Sequence, residues 1–316
     1  MRRPLRKTAL GSILFAGALL AVAVTVEAQQ PGKVFRIGFL DQSTAAGSAV
    51  LVEVFRQELG KLGWIEGNNI SIDYRFAEQK NERLPELAAD LVRVKVDLIV
   101  TTSGSSAAAA KSATNSIPIV MASSADPVSE GLVASLARPG GNVTGLTVQG
   151  PELNTKRLEI LKDAVPKLVR VGLLLPPARN VSVDLQVKGL RRGALALKLK
   201  LEEIETQLDA KGFESAFQTA KQKQVSAIMT ITLRQFFAER KRIIELAGKY
   251  RFPAIYFQKE FVTDGGLMSY GVDYDDQYRK AARYVDKILK GTKPADLPVQ
   301  QATKFESSLT LRRQNR

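Results

Sequence analysis

The sequence contains an internal repeat with an offset of 125 to 135 residues. Short apolar stretches, rich in β-branched residues, recur in the same order in its two halves. The matched segments are 36–40 with 170–174, 96–101 with 225–230, 117–120 with 252–255, and 140–145 with 265–270. A single pair would carry little weight because strands resemble one another, but four pairs in one order indicate two similar lobes. The period is far longer than that of a solenoid repeat.

Within each half, apolar runs alternate with amphipathic helical patterns. Residues 34–40 form a continuous apolar run, and Val52, Phe55, Leu59 and Leu62 then share one helical face. This βαβα order predicts parallel sheets that are covered by helices on both sides. The predicted fold class is therefore α/β, with two doubly wound, Rossmann-like lobes. Ligands of such sheets bind outside the carboxyl ends of the strands, so we expect a ligand cleft between the lobes.

Residues 1–28 have the pattern of a secretory signal peptide. A basic start is followed by an apolar run over residues 9–26, with small side chains at Val26 and Ala28. We expect cleavage between Ala28 and Gln29 and export to the periplasm. An uncleaved membrane anchor is the alternative, since the apolar run is of borderline length for spanning a bilayer. The chain has no cysteine, which excludes a lipid-modified cysteine and any disulfide.

Composition favours binding over catalysis. The chain has no histidine, which removes the usual general base and the commonest metal ligand. The net charge is +14, but Lys and Arg are interspersed with Asp and Glu along the helical segments. No basic arm with interleaved aromatic residues is present, so we expect no nucleic-acid partner. We expect a monomer with no cofactor.

The polar loops that follow the predicted strands carry the candidate ligand-binding residues. Hydroxyl and glycine residues over 102–106 open a helix and suit an anion, although simple helix capping is the alternative. Asp126 either pairs with a ligand ammonium or caps a helix. Arg234 either binds a ligand carboxylate or is a surface charge. Tyr256 and Tyr270 either cover a ring of the ligand or pack in the core. The predicted set is Asp41, Ser43, Thr102, Ser103, Gly104, Ser105, Ser123, Asp126, Asn180, Thr230, Arg234, Tyr256, Tyr270 and Asp273.

Asp273, Asp275 and Asp276 lie close together, which raises the question of a metal site. No other potential ligand clusters with them, and acidic residues are favoured in the first turn of a helix. We therefore interpret them as the start of a helix and predict no metal.

Several longer stretches resemble a known family. They are 62–70, 117–120, 131–145, 265–271 and 291–299, and the most specific is Ser-Leu-Ala-Arg-Pro-Gly-Gly-Asn at 135–142. These stretches resemble the ABC-transporter substrate-binding proteins of the tryptophan/tyrosine-type uptake family. The resemblance implies a type I periplasmic-binding-protein fold with three crossings between lobes and no catalysis. It also implies an ABC permease in the inner membrane as partner.

The resemblance also implies the domain organisation. Lobe 1 is predicted to comprise 34–150 plus 272–295, and lobe 2 to comprise 151–271 plus 296–306. Residues 307–316 depart from the family's usual apolar strand and closing helix. We interpret them as an atypical tail produced by a shifted reading frame, which would leave part of the second lobe uncovered.

The predicted function is that of the periplasmic solute-binding component of an ABC importer. It would capture an aromatic amino acid or another small carboxylate by hinge closure. One alternative is a ligand sensor for a membrane receptor kinase, which would use the same fold. A hydrolase that uses Ser103 or Ser105 is a further alternative, although no general base accompanies either serine.

Overall fold

The computed structural model describes residues 33–148 and 150–310; the predicted signal peptide, residues 1–28, lies outside the described residues. The first part of the chain forms β1 (Phe35–Asp41), α1 (Ala45–Lys61), β2 (Ile70–Phe76), α2 (Leu84–Arg93), β3 (Leu98–Thr101), α3 (Gly104–Ala113), β4 (Ile119–Met121) and β5 (Val143–Thr147). The second part forms α4 (Gly150–Ala164), β6 (Arg170–Leu175), α5 (Val181–Ala196), β7 (Lys200–Glu205), α6 (Ala210–Gln222), β8 (Ala227–Thr230), α7 (Arg234–Ala238), α8 (Arg240–Lys249), β9 (Ala254–Tyr256), α9 (Lys259–Thr263) and β10 (Met268–Val272). The last elements are α10 (Tyr274–Leu289), β11 (Gln300–Gln301) and β12 (Phe305–Leu309), with short 3-10 turns at Asn81–Arg83 and Pro294–Asp296.

Two six-stranded sheets have the same strand order. The first sheet runs β11-β5-β4-β3-β1-β2 and the second runs β12-β10-β9-β8-β6-β7. Neighbouring strands are parallel except β10 and β12, which are antiparallel. The four repeated sequence segments thus hold equivalent places, as β1 and β6, β3 and β8, β4 and β9, and β5 and β10. The prediction of two doubly wound α/β lobes is confirmed.

The central strands are buried on both faces because helices cover each side of each sheet. All residues of β3 and β8 are buried, as the uninterrupted apolar runs in the sequence predict. In the helices only one stripe is buried, for example Leu51, Phe55 and Leu59 of α1. Burial of a large apolar side chain of this kind stabilises a fold by about 1.5–3 kcal/mol.

The chain passes between the lobes three times. Helix α4 packs on α5 and on β9 and β10 of the second lobe, whereas α10 packs on α1 and on β4 and β5 of the first. The crossings lie between β5 and α4, between β10 and α10, and between β11 and β12. Three crossings are the number that the family resemblance implies.

The boundary of the third crossing differs from the prediction, which placed 296–306 in the second lobe. Gln300 and Gln301 instead pair in parallel with β5, the Val299 amide donates to Leu136 O at 2.7 Å, and the Ala302 amide donates to Thr147 O at 2.9 Å. This segment covers the otherwise open edge of the first sheet. The chain therefore reaches the second sheet only at Phe305.

The tail begins as regular structure. Residues 305–309 pair with β10 in antiparallel register, and the Thr310 amide donates to Leu267 O at 2.8 Å. Strand pairing uses backbone groups, so an atypical sequence can continue the sheet, although Phe305 and Leu309 remain exposed. The shifted reading frame stays a prediction, and residues 311–316 lie outside the described residues. Among the described residues, no helix has the length and apolarity needed to cross a membrane.

Candidate functional site

A cavity lies between the lobes at the carboxyl ends of the parallel strands. The space inside it is about 500 Å³, part of it open to solvent. The first lobe contributes Gln42, Thr102, Ser103, Gly104, Ser105, Ser123, Ser124, Ala125 and Val148. The second lobe contributes Asn180, Ser182, Val183, Gln186, Thr232, Leu233, Arg234 and Phe257, and Tyr274 lines the cavity from the start of α10. Both lobes therefore build one site, at the place where ligands bind in open α/β sheets.

The start of α3 forms one wall of the cavity. Ser103 is its N-cap, because its Oγ accepts from the Ser106 amide at 3.2 Å while Ser106 Oγ accepts from the Ser103 amide at 3.1 Å. Ser103 Oγ also donates to Gln42 Oε1 at 2.8 Å. Capping thus accounts for part of the hydroxyl-rich loop. At Gly104 a β-carbon would overlap the carboxylate of Glu130, so a larger residue there would require that side chain to move.

Hydrogen bonds across the cavity hold the lobes together. Asn180 Nδ2 donates to Ser105 Oγ at 2.9 Å, and Gln42 Nε2 donates to Gln235 Oε1 at 3.1 Å. In each pair the two side chains belong to different lobes. Because these bonds exist only when the lobes are in contact, the structure is a closed form.

Asp41 and Arg234 form a buried ion pair between the lobes. Asp41 is fully buried at the end of β1, and Arg234 is 6% exposed at the start of α7. Arg234 Nη2 lies 3.5 Å from Asp41 Oδ2 and 3.1 Å from Ser48 Oγ. Burial disfavours the charged guanidinium, but nearby Tyr278 and Asp41 raise the pKa of Arg234, so it is protonated at neutral pH.

Each carboxylate oxygen of Asp41 also accepts a hydrogen bond from its own lobe. Its Oδ1 accepts from the Ser43 amide at 2.8 Å, and its Oδ2 accepts from Ser48 Oγ at 2.6 Å. These bonds, together with Arg234, fix the orientation of the side chain.

A second buried arginine, Arg157 of α4, lies behind the cavity and is 1% exposed. Its Nη2 donates to Thr232 Oγ1 at 3.0 Å, its Nε to Tyr270 O at 2.6 Å, and its Nη1 to Asn154 Oδ1. Thr232 lines the cavity and connects this arginine to it. Burial lowers the pKa of Arg157 to about 10, so the side chain remains charged at neutral pH.

Two further side chains have fixed orientations. Gln186 Oε1 accepts from the Thr232 amide at 2.9 Å, and its Nε2 donates to Thr232 O at 3.1 Å. Burial raises the pKa of Tyr274 to about 12, so its hydroxyl, which is hydrogen-bonded to Ser123, stays protonated. The cavity therefore presents several neutral hydrogen-bonding groups and one cation, Arg234.

The structure brings half of the predicted site residues to the cavity wall. These are Thr102, Ser103, Gly104, Ser105, Ser123, Asn180 and Arg234. Asp41, Ser43 and Thr230 are buried next to strand ends but do not line the cavity. The hydroxyls of Ser43 and Thr230 have no hydrogen-bond partner among the described residues. Asp41 acts on the site through Arg234.

The remaining four predicted residues lie away from the cavity. Tyr256 is buried against Phe261, with ring centroids 4.5 Å apart, and its position is explained by core packing. Tyr270 contributes only its backbone oxygen, to Arg157. Asp273 is the N-cap of α10, whereas Asp126 accepts from the Ser129 amide in a turn and caps no helix, because none begins after it.

Sequence reasoning missed Ser182, Gln186, Tyr274 and Arg157. The last of these had a recognisable signal, because Arg157 lies on the same helical stripe as Leu153 and Leu161, which are both buried. A cation within an apolar stripe is unusual and indicates a buried partner or a site.

The fold and the cavity define a two-lobed ligand-binding protein of the type I periplasmic-binding class. The family model for ABC transporter substrate binding proteins matches residues 47–314. The chain belongs to this family, and it is a substrate-binding protein of the ABC-transporter type.

Individual relatives agree with this assignment. The chain is 30% identical over 245 residues to a tyrosine-binding protein of Clostridioides difficile (strain R20291), which covers 78% of this chain and 70% of that protein. The structure of a conserved domain protein of Vibrio cholerae O1 biovar El Tor has a TM-score of 0.81 at 26% identity. The match covers 88% of this chain and 92% of the Vibrio chain. The names of the family and of the relative from Clostridioides difficile describe binding proteins rather than enzymes.

Two further structures bear on the conformation. The ABC domain from Streptococcus pneumonia in complex with L-Trp has a TM-score of 0.78 at 24% identity, covering 87% of this chain and 91% of its own. The ligand-free, open form of a substrate-binding protein from Clostridium difficile has a TM-score of only 0.60 at 26% identity, with coverage of 87% and 92%. The low TM-score against this open form agrees with the closed cleft described above.

Proposed function

We propose that this chain is the solute-capturing component of an ABC importer. It works as a monomer in the periplasm after removal of residues 1–28, and it delivers its ligand to a permease in the inner membrane. The observation that carries this proposal is the cavity to which both lobes contribute. Family membership supports the transport role, and no observation supports the alternative of a kinase sensor.

Capture occurs by closure of the lobes around the ligand. The bonds between Asn180 and Ser105 and between Gln42 and Gln235 form only in the closed form. A ligand that contacts both lobes binds the closed form better than the open form, and this difference shifts the population toward closure. The permease then distinguishes loaded from empty protein by their shape.

The ligand that fits the cavity best is a small aromatic carboxylate. Arg234 supplies a cation for a carboxylate, and Val148, Leu233 and Phe257 supply apolar surface for a ring. The relative from Clostridioides difficile, which is named a tyrosine-binding protein, supports the same ligand class.

Catalysis has no support in the wall of the cavity. The hydroxyl of Ser103 donates to the side-chain amide oxygen of Gln42, and the hydroxyl of Ser105 accepts from the side-chain amide nitrogen of Asn180. An amide does not act as the general base that a nucleophilic serine requires. The proposed role is therefore binding alone.

A thermal-shift screen followed by isothermal titration calorimetry on the mature protein tests the proposal. The panel contains L-tyrosine, L-tryptophan and hydroxyphenyl carboxylic acids, with glucose, inositol and adenosine monophosphate as controls. A ligand at one hundred times its Kd should add about 2.7 kcal/mol of stability, which raises Tm by several degrees. A rise of Tm with the sugars or the nucleotide alone would contradict the proposed ligand class.

A further inference from the structure

Most hydrogen-bonding groups of Thr232 are occupied by buried side chains of its own lobe. This residue follows β8 and lines the cavity. Its amide donates to Gln186 Oε1 at 2.9 Å, and its carbonyl oxygen accepts from Gln186 Nε2 at 3.1 Å. Its Oγ1 accepts from Arg157 Nη2 at 3.0 Å. Among the described residues, the proton of this hydroxyl has no acceptor, so it is available to a ligand.

These bonds belong to a closed ring of four residues. Arg157 Nη1 donates to Asn154 Oδ1, and Asn154 Nδ2 donates to Gln186 Oε1 at 2.9 Å. Gln186 holds the backbone of Thr232, and Thr232 Oγ1 leads back to Arg157. Arg157, Asn154 and Gln186 are each at most 1% exposed, so the protein itself must satisfy their polar groups.

The direction of every bond in this ring follows from the arginine. A guanidinium has donors and no acceptor, so each atom that faces it has to accept. Asn154 must therefore turn its oxygen to Arg157 and its nitrogen to Gln186, and this arrangement fixes the amide of Gln186 in turn. By the same rule Thr232 Oγ1 accepts from Arg157 and cannot donate its proton to it.

The contact with a cation also strengthens the Thr232 hydroxyl as a donor, because hydrogen bonds in a chain polarise one another. Arg234, two residues further along the same loop, lines the cavity as well. Its Nε and Nη1 are buried and make no hydrogen bond in the part of the chain that the structure describes. The loop after β8 therefore carries several donors with unused capacity, and a carboxylate is the acceptor that forms the strongest bonds with such groups.

We propose that Thr232 determines specificity by donating its hydroxyl proton to the carboxylate of the ligand, and that Arg157 is the positioning residue that imposes this direction. The inference rests on the proposed function and deepens it, since it assigns a residue that recognises the carboxylate. Arg157 does not line the cavity and acts on the ligand only through Thr232.

Thr232→Val removes the hydroxyl while keeping the shape of the side chain, and calorimetry on the mature protein measures the effect. The probes are L-tyrosine and L-phenylalanine, and the same pair without the amino group, 3-(4-hydroxyphenyl)propanoate and 3-phenylpropanoate. Loss of a hydrogen bond to a charged group should weaken binding by about tenfold to a hundredfold, and by the same factor for both members of a pair.

Two further variants serve as controls. Thr232→Ser, which keeps the hydroxyl, should restore most of the affinity. Thr206→Val makes the same change at a buried threonine of the same lobe, whose hydroxyl donates to Ile204 O at 3.2 Å outside the cavity, and binding should not change.

Three results would overturn the inference. The first is a Thr232→Val variant that binds the probes as tightly as the parent, which would leave the proposed function intact. The second is a loss confined to the two phenols, because the hydroxyl would then contact the phenol and not the carboxylate. The third is a parent protein that binds none of the four probes. Only if no aromatic carboxylate binds at all does the proposed ligand class fail too.

A double-mutant cycle tests the positioning role of Arg157. Arg157→Lys keeps a cation that only donates, so Thr232→Val should cost as much affinity in this background as in the parent. Arg157→Gln supplies an acceptor to which the Thr232 hydroxyl can turn, so the cost of Thr232→Val should fall at least threefold, as expected for coupled neighbours. Arg157→Met, which adds no buried polar group, is the second variant, and the same decrease is expected because nothing then orients the hydroxyl.

Circular dichroism and Tm measurements accompany the cycle. A purely structural role of Arg157 would lower Tm in these variants and leave the cost of Thr232→Val unchanged. That result would overturn the assignment to Arg157.

Discussion

Replacement of Asp41 by asparagine should open the cleft of the ligand-free protein. At the observed separation of 3.5 Å, two unit charges attract each other by about 5 kcal/mol in a medium with an effective dielectric constant of about 20. Loss of one partner of a buried pair costs about 3–5 kcal/mol, because Arg234 would remain buried without its counter-ion. In the open form water solvates Arg234, so most of this cost falls on the closed form alone. Since each 1.4 kcal/mol is a factor of ten, the ratio of closed to open protein should fall at least a hundredfold.

The chain is well suited to a distance measurement because it contains no cysteine. Ala108 of α3 and Ala210 of α6 are exposed and belong to different lobes, so cysteines introduced there can carry a donor and an acceptor dye. Single-molecule energy transfer should show a mainly open population for Asp41→Asn. The double variant Asp41→Asn/Arg234→Gln should recover part of the closed population, because it removes the unpaired charge. The reasoning is refuted if Asp41→Asn is as closed as the parent, or if the double variant is no more closed than Asp41→Asn.

Two further predictions concern stability. Gly271→Ala should destabilise the protein by about 3 kcal/mol or more, because its β-carbon would overlap the carbonyl oxygen of Phe257. The matched control is Gly60→Ala, at a helical position with open space around it, which should stabilise the protein by about 0.5–1 kcal/mol. Urea unfolding measures the change in stability of both variants, and equal effects would contradict the packing argument. Burial raises the pKa of Glu130, so the folded state binds its proton more tightly than the unfolded state, and stability should increase as pH falls from 7 toward 5. Glu130→Gln should reduce this slope in urea titrations at the two pH values, and an unchanged slope would assign the pH dependence to other groups.

The fold was predictable because strand burial leaves a strong mark on sequence. The apolar run at 36–40 and its counterpart at 170–174 became the second strand from the edge in each sheet, as their equivalence implied. The short pairing of Gln300 and Gln301 was not predictable. Two polar residues have no strand pattern, and the free edge of β5 alone recruits them.

The site was predictable only in part. Loops that follow strands lie near the cleft, which is why residues 102–105, predicted to bind the ligand, lie in the cavity wall. Whether a particular side chain points into the cavity depends on local packing. The ring of Tyr256, for example, stacks on Phe261 instead of facing the cavity. Arg157 was missed because its place in an apolar helical stripe indicates burial but does not say that this face of the helix approaches the cavity.

The three crossings also determine when each lobe can be completed as the chain emerges during synthesis or export. Helix α10 and strand β11 complete the first lobe, yet both are encoded near the end of the sequence. The first lobe, although it begins at Val34, therefore cannot assume its final packing until residue 301 has been delivered. The second lobe receives its edge strand β12 only a few residues later, so the two lobes reach their native form almost simultaneously. A cut anywhere between β5 and β11 therefore divides the first lobe, and a cut anywhere between α4 and β12 divides the second.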